Sequence, residues 1–100
     1  MVAPHLCPQM FYVYILKSEA DGKLYIGRTA DIQKRINEHK NGMSASTKHR
    51  LPIQLVYYEA YKSEKDASLR EDRLKYYGKA LGQLKGRIEH SLCAGKGAGW

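Results

Sequence analysis

The chain has few of the residues that cross-link or anchor a small protein. Its 100 residues include only two cysteines, Cys7 and Cys93, which lie in the two terminal segments and form neither a disulfide framework nor a metal-ligand spacing. This scarcity is consistent with a reducing compartment, and we expect a cytoplasmic protein. No apolar run approaches the roughly 18 to 20 residues that cross a bilayer. We therefore expect no membrane partner.

Acidic residues are also scarce. Seventeen Lys and Arg stand against ten Asp and Glu, which gives a formal net charge of +7. A positive excess of this size favours a polyanionic partner, because lysine and arginine neutralise phosphates. Many small proteins are basic, so charge alone leaves a basic globular protein with a protein partner equally open.

Length and composition indicate one globular domain with short ends. One hundred residues, 43% hydrophobic and 27% charged, suffice for one modest core. Residues 1–10 contain two of the three prolines and predict a flexible N-terminal arm, whereas residues 93–100 are rich in glycine and predict a flexible tail. The folded domain is expected over residues 11–92.

A β-hairpin is predicted near the start of this domain. Residues 11–17 are rich in β-branched and aromatic side chains, and the turn-forming run Glu19–Gly22 follows them. A second apolar run, KLYIG, ends at Gly27, which we interpret as a backbone requirement at the strand exit. Side chains alternate along a strand, so Tyr14 faces one side of the sheet and Ile15 faces the other.

A helix is predicted over residues 32–40, capped by Thr29 or Asp31 and ended by an Asn-Gly pair. Arg35 and His39 are four residues apart and share one face of this helix. Simpler alternatives are an exposed helix arginine and a surface histidine that interacts with the helix dipole.

The next segment, residues 42–52, is polar and basic and is predicted to be a loop. Between residues 32 and 50, five Lys or Arg stand against one Glu, a local net charge of +4. The segment concentrates side chains that often hold phosphate oxygens, namely Ser44, Ser46, Thr47, Lys48, His49 and Arg50. A solvated loop is the alternative for any one of them.

The second half is predicted to contain one strand and two helices. Residues 53–61 predict a strand that is central or covered on both sides, because both of its faces are largely apolar. A second helix is expected from a cap at Ser63 to about Tyr77, stopped by Gly78. Apolar spacing over residues 79–92 predicts a third helix, which its two glycines leave short, frayed or broken.

The second helix carries an acidic residue among apolar ones. Glu71 lies four residues after Ala67 and three before Leu74, on the face that points to the core. A carboxylate in this position needs a partner, either a nearby arginine or a metal ion. Leu69 and Tyr76 fall on the far side, which predicts a helix packed on two faces.

Five sequence elements follow one another at characteristic spacing. They are the triplet Tyr12-Val13-Tyr14, the triplet Tyr25-Ile26-Gly27, the basic run from Gly27 to Arg35, then His39, and finally Arg70-Glu71. Together they resemble the GIY-YIG nuclease family, and the match covers roughly Phe11 to Leu74. The chain departs from the family pattern at Tyr12, where the family has glycine, and in having no asparagine after Glu71.

The resemblance implies a fold and an activity. The fold would be α+β, with a three-stranded antiparallel sheet flanked by helices, similar to the N-terminal domain of the excision-repair endonuclease subunit. The activity would be that of a metal-dependent DNA endonuclease in repair or recombination, with RNA not excluded. Mg²⁺ or Mn²⁺ would be its cofactor, and no small-molecule cofactor is expected. The alternative is a module that binds nucleic acid without cutting it, which the two departures favour.

The resemblance also implies catalytic roles. Glu71 would bind the metal, and Tyr25 would act as general base or orient the attacking water. Tyr14 would position that water, or Tyr25 itself, by hydrogen bonding. An unperturbed tyrosine has a pKa near 10, so a tyrosine base near neutral pH needs about 4 kcal/mol of help from cations. Arg35 would pair with the scissile phosphate, and His39 would assist proton transfer. The expected contacts to other phosphates are Arg28, Thr47, Lys48, His49 and Arg50. The other strand tyrosines, Tyr12, Tyr57, Tyr58 and Tyr61, are assigned to packing.

Overall fold

The computed structural model describes residues 9–93, which form an α+β domain. Its elements are β1 (Phe11–Ser18), β2 (Leu24–Thr29), α1 (Ile32–Lys40), a 3-10 turn (Lys48–Arg50), β3 (Ile53–Tyr61), α2 (Glu64–Tyr76), α3 (Gly78–Arg87) and α4 (Glu89–Cys93). The predicted three-stranded antiparallel sheet flanked by helices is confirmed. None of the described helices is both long and apolar enough to span a membrane. The arm predicted over residues 1–10 and the tail predicted over 93–100 lie outside the described residues, except for Gln9, Met10 and Cys93.

Strand β1 is the centre of the sheet. The strand order is β2-β1-β3, and both neighbours run antiparallel to β1. The four residues from Val13 to Leu16 are at most 1% exposed, because they have a strand on each side and helices on each face. The prediction that β3 is central is therefore wrong, because β3 is an edge strand of the sheet. The alternative that it is covered on both sides holds in part: Val56 packs in the cluster on one face and Leu55 in the cluster on the other, whereas Tyr58 is 52% exposed.

Turn and cap residues determine where the first elements end. Gly22 closes the hairpin turn and Gly42 follows α1, and both adopt the left-handed backbone region, with φ of +72° and +74°. Asp31 caps α1, since its carboxylate accepts a hydrogen bond from the backbone N–H of Lys34. The predicted hairpin and first helix are thus confirmed, and Asp31 is the cap instead of Thr29.

The two faces of the sheet carry separate apolar clusters. On one face, the alternate residues Val13 and Ile15 of β1 pack with Ile26 of β2 against α2 and α3, through Ala67, Leu74 and Leu84. On the other face, Tyr14 and Leu16 pack against Ile36 of α1 and Ile53. The predicted alternation of β1 is confirmed, and it places Tyr14 on the α1 side.

Helix α2 is packed on one face only. Ala67 and Leu74 are fully buried, whereas Leu69 is 44% exposed and Tyr76 is 74% exposed. The prediction of two packed faces is wrong, because no described element covers the outer side of this helix. The helix ends at Tyr76, and Gly78 begins α3 directly. The third helix is broken as predicted, into α3 and α4 around Ile88.

An arginine of α2 ties this helix to β3. The Arg70 guanidinium donates to both carboxylate oxygens of Glu59, with donor–acceptor distances of 3.0 to 3.2 Å. The hydroxyls of Tyr57 and Tyr61 donate to the same carboxylate. Those tyrosines therefore form hydrogen bonds as well as packing contacts. The pair constrains the rotation of α2 about its axis, which decides where the next residue, Glu71, points.

Candidate active site

Tyr14 occupies the floor of the site, directly beside Gly27. The two residues are paired across β1 and β2, and Tyr14 is 1% exposed. A Cβ atom at residue 27 would lie 2.5 Å from the Tyr14 Cζ and closer still to its hydroxyl oxygen. Gly27 lies inside β2 and does not adopt the left-handed backbone region. The interpretation of this glycine as a backbone requirement at a strand exit is therefore wrong, because the requirement is space for the tyrosine.

A buried histidine connects Tyr14 to the loop after α1. The Tyr14 hydroxyl lies 2.9 Å from Nε2 of His39, and Nδ1 of His39 lies 2.7 Å from Oγ1 of Thr47. His39 and Thr47 are both 0% exposed. The alternative of a surface histidine is therefore wrong. The prediction that Thr47 contacts phosphate is also wrong for this conformation, because its hydroxyl is turned inward to the histidine.

Burial keeps both Tyr14 and His39 neutral. Burial raises the pKa of Tyr14 to about 12; the neighbouring Tyr25 and Glu71 add to the rise, and the Arg35 guanidinium opposes it. Burial also lowers the pKa of His39 below its usual 6.5, and the positive charge of Arg35 lowers it further. Tyr14 can therefore donate or accept a hydrogen bond near neutral pH, but it does not ionise there.

Tyr25 joins this cluster from the second strand. Its ring centroid is 6.3 Å from that of Tyr14 and 5.1 Å from that of His39. Unlike Tyr14, it is only partly buried. Among residues 9–93 its hydroxyl makes no hydrogen bond. The structure thus brings the two tyrosines and the histidine together, and Tyr25 is the one whose hydroxyl is open to solvent.

Arg35 lies at the rim of the cluster. Its side chain is 34% exposed, and its guanidinium pairs with Glu38 at 3.0 Å and reaches the Ser44 hydroxyl at 3.5 Å. It is close enough to Tyr14 that each side chain affects the pKa of the other. Glu38 contributes most to a raised Arg35 pKa. The arginine is therefore held in place, while part of its guanidinium stays accessible.

Glu71 has two cationic partners. Its Oε1 accepts from Nε of Arg28 at 3.1 Å, and its Oε2 pairs with Nζ of Lys75 at 2.9 Å. Arg28 also pairs with Glu64 at 3.2 Å. The nearby arginine, one of the two partners left open for this carboxylate, is confirmed. Lys75 was missed, although its position four residues after a glutamate on a helix is a recognised signal for an ion pair.

Glu71 approaches the cluster from the other face of the sheet. Helix α2 packs on the face opposite Tyr14, and Glu71 lies beside the edge strand β2, where Arg28 meets it. No hydrogen bond within the described residues joins Glu71 to either tyrosine. Charges on the two sides of this edge nonetheless affect one another. The Glu71 carboxylate contributes to the raised pKa of Tyr14. The pKa of Lys75 is raised mainly by Glu71, and Tyr25 adds to that rise.

The donor set at Glu71 fits a hard divalent cation. Among residues 9–93 there is no group of three or more His, Cys, Asp or Glu that could hold a metal. A single carboxylate is enough for Mg²⁺, which keeps most of its waters and binds substrate phosphate as well. Glu71 is 15% exposed, so its oxygens are within reach of such an ion. The ion would share or replace the contacts of Arg28 and Lys75.

The basic loop contributes less surface than expected. Lys48 and His49 are exposed on the 3-10 turn. Arg50 instead faces the hairpin, where it lies 3.6 Å from the Asp21 carboxylate and donates to the Leu24 carbonyl at 3.4 Å. The loop can thus present Lys48 and His49 to a ligand, whereas Arg50 braces the turn.

Comparisons with known proteins agree on one family. The model of the GIY-YIG catalytic domain matches residues 10–80. A UPF0213 protein of Staphylococcus saprophyticus is 45% identical over 69 residues, covering 68% of this chain and 83% of the relative. A UPF0213 protein of Clostridium perfringens is 45% identical over 73 residues, covering 72% of this chain and 73% of the relative. The solution NMR structure of the UPF0213 protein BH0048 from Bacillus halodurans is 33% identical, with a TM-score of 0.51, and the match covers 82% of this chain and 92% of that one.

The space beside Tyr14 predicts opposite effects for two Gly→Ala substitutions. Gly27→Ala places a Cβ against the tyrosine and should lower the free energy of unfolding by about 1–3 kcal/mol, as overpacking does. Gly82→Ala, in the interior of α3, meets no atom within 4 Å and should raise it by up to about 1 kcal/mol. Urea denaturation of both variants measures the difference. Equal stability of the Gly27→Ala variant and the wild type would contradict the contact.

The lowered His39 pKa predicts acid sensitivity. Below its usual pKa of 6.5 the unfolded chain binds a proton that the folded protein does not, so stability should fall as pH decreases through that value. Urea denaturation between about pH 7.5 and 5.5 should show this slope in the wild type and a smaller slope in His39→Gln. The exposed His49→Gln is the control and should keep the wild-type slope. Identical slopes in all three proteins would contradict the assignment.

Proposed function

The chain belongs to the family of proteins built around a GIY-YIG catalytic domain, and from that premise we propose that it is a metal-dependent endonuclease that hydrolyses phosphodiester bonds in DNA. The observation that carries the proposal is the convergence of Tyr14, Tyr25, His39 and Arg35 beside β2, with Glu71 in electrostatic reach across that strand. A role in DNA repair or recombination, in the cytoplasm, is part of the proposal and rests on family membership and low cysteine content.

The proposed substrate site lies between Arg35 and Tyr25. The accessible part of the Arg35 guanidinium pairs with the scissile phosphate, where its planar donors fit two oxygens. The neighbouring phosphates are contacted by Lys48, His49 and Arg28. To reach a phosphate, Arg28 gives up part of its ion pairing with Glu64 and Glu71. These contacts supply positive charge where negative charge increases in the transition state.

The two tyrosines have different tasks in this mechanism. Tyr14 has a pKa of about 12 and stays protonated, so it orients the attacking water by hydrogen bonding. Tyr25 has the open hydroxyl; it first releases its own proton to solvent, and the resulting tyrosinate oxygen then takes the proton from the attacking water. His39 is buried behind Tyr14 and acts through it, not on the substrate. A Mg²⁺ or Mn²⁺ ion held by Glu71 would supply Lewis acidity toward the phosphate and the departing oxygen.

Cleavage of supercoiled and branched DNA with Mg²⁺ tests the proposal. Glu71→Gln, Tyr25→Phe and Arg35→Ala should each lower the cleavage rate by at least about 100-fold, because each removes a group that acts on the reacting atoms. Asp72→Asn, an exposed acid next to Glu71 on the same helix, should cut like the wild type. Cleavage by the three variants at the wild-type rate would refute the proposal. RNA of the same sequence tests the choice of DNA.

A second candidate is a module that binds nucleic acid without cutting it. The observation in its favour is that both carboxylate oxygens of Glu71 already pair with cations, Arg28 and Lys75. This candidate predicts salt-dependent DNA binding without turnover and the same affinity in Glu71→Gln. If the wild type cleaves DNA and the Glu71→Gln variant does not, this candidate is excluded.

A further inference from the structure

A groove lies between α1 and the edge strand β3, on the same face of the sheet as Tyr14. Apolar side chains line it from both elements, namely Ile32 and Ile36 of α1 and Leu55 of β3. The groove encloses about 250 Å³. Sites for drug-sized ligands enclose roughly 300 to 1,000 Å³. The size of this groove therefore suits one planar ring system better than a large cofactor.

One partly exposed aromatic ring also lines the groove. Tyr58 pairs with Tyr14 across β3 and β1, so both side chains lie on this face, and Tyr58 is 52% exposed. The ring of Tyr12 meets that of Tyr58 in a T-shaped contact, with centroids 5.9 Å apart and an angle of 67° between the planes. Tyr12 occupies the position where the GIY-YIG family has glycine, which has no ring to make this contact. The departure from the family pattern thus supports Tyr58 at the groove.

Three polar side chains of α1 complete the lining. Gln33, Asn37 and Lys40 follow one another at helical spacing along one flank of α1. Within residues 9–93 none of these three side chains makes a hydrogen bond or an ion pair. Two amides and one ammonium group are therefore available to a ligand that has a hydrogen-bonding edge and a negative charge.

An unpaired nucleotide combines the features that this lining can bind. The faces of its base stack on aromatic rings, the edge of the base carries donors and acceptors, and its phosphate is negative. A base inside a duplex is paired and stacked, so it cannot enter the groove. The groove is also continuous with the candidate active site. Gly27, Tyr14 and Tyr58 are neighbours in one row across the three strands, and adjacent strands are about 4.8 Å apart.

We propose that this groove is a subsite for one unpaired nucleobase: the base stacks on Tyr58, Gln33 and Asn37 bind its edge, and Lys40 binds its phosphate. It follows that the nucleic acid near the cleaved bond is single-stranded or locally unpaired, and this consequence rests on the proposed function. The subsite itself can be tested separately, because binding of a strand is measurable without cleavage.

Fluorescence anisotropy in the presence of EDTA tests the subsite, because the chelator prevents metal-dependent cleavage. The probes are a labelled single strand, the blunt duplex of the same sequence, and an abasic strand of the same length. Tyr58→Ala should bind the single strand about 5- to 50-fold more weakly than the wild type, whereas Tyr58→Phe should stay within about 2-fold of it, since phenylalanine still stacks. Affinity for the duplex and for the abasic strand should not change. Tyr76→Ala removes a more exposed tyrosine outside the groove and should bind like the wild type.

Two further variants separate the kinds of contact. The factor lost in Tyr58→Ala should be the same at low and high salt, whereas Lys40→Gln should reduce the salt slope of single-strand binding by about 0.7, because one phosphate contact is lost. Tyr12→Leu should weaken single-strand binding in the wild type but not in the Tyr58→Ala background, since Tyr12 acts through Tyr58. An equal loss in both backgrounds would contradict the supporting role of Tyr12.

Three results would overturn the subsite. The first is equal single-strand affinity of Tyr58→Ala and the wild type, or no single-strand binding at all. The second is an equal loss on the duplex or the abasic strand, since Tyr58 would then not act on a base. The third is a dimer of the free protein that Tyr58→Ala dissociates in analytical ultracentrifugation, since a second copy would then fill the groove.

The subsite and the proposed function can fail separately. Cleavage by the wild type without any effect of Tyr58→Ala on strand binding would refute the subsite and leave the function standing. The Tyr58 effect in a wild type that does not cleave would refute the function and leave the subsite standing.

Discussion

One close contact organises this molecule: the hydroxyl end of Tyr14 lies against the Cα of Gly27. Strands β1 and β2 pair residues 14 and 27 directly, and the Tyr14 side chain fits there because residue 27 has no side chain. The Tyr14 side chain is then buried, and its oxygen lies 2.9 Å from Nε2 of His39 on α1. The loop after α1 is attached to the same point through Thr47. The hairpin, the first helix and the basic loop thus meet at one buried oxygen.

Burial gives the two tyrosines of the site different properties. Tyr14 is enclosed, and its pKa of about 12 keeps the hydroxyl protonated. Tyr25 lies one strand away, partly exposed and with its hydroxyl open to solvent. The same functional group therefore has two environments, one suited to holding a fixed hydrogen bond and one suited to contact with a ligand. Both tyrosines lie near Arg35, which is at the rim of the site.

The acidic half of the site depends on β2 being an edge strand. Glu71 belongs to the helix on the opposite face, and its charge affects Tyr14 across this edge of the sheet. Arg28 and Lys75 hold the carboxylate at that edge. Ion pairs that are partly exposed contribute about 0–1 kcal/mol, whereas burying a leucine such as Leu74 contributes about 1.5–3 kcal/mol. The ion pairs therefore determine where the carboxylate lies, and apolar burial holds the helix to the sheet.

The sequence by itself determined the elements whose signals are local. The hairpin turn, the limits of α1 and the break near Ile88 depend on a glycine, a cap or a spacing within a few residues, and the ordered motifs identified the family. Tertiary structure alone decided that β1 is central, that Thr47 faces inward, that Gly27 makes room for a tyrosine and that Arg28 joins Glu71. The reason is the distance along the chain. Tyr14 and His39 are 25 residues apart and Arg28 and Glu71 are 43 apart, so no local pattern reports which of these groups meet until the chain is folded.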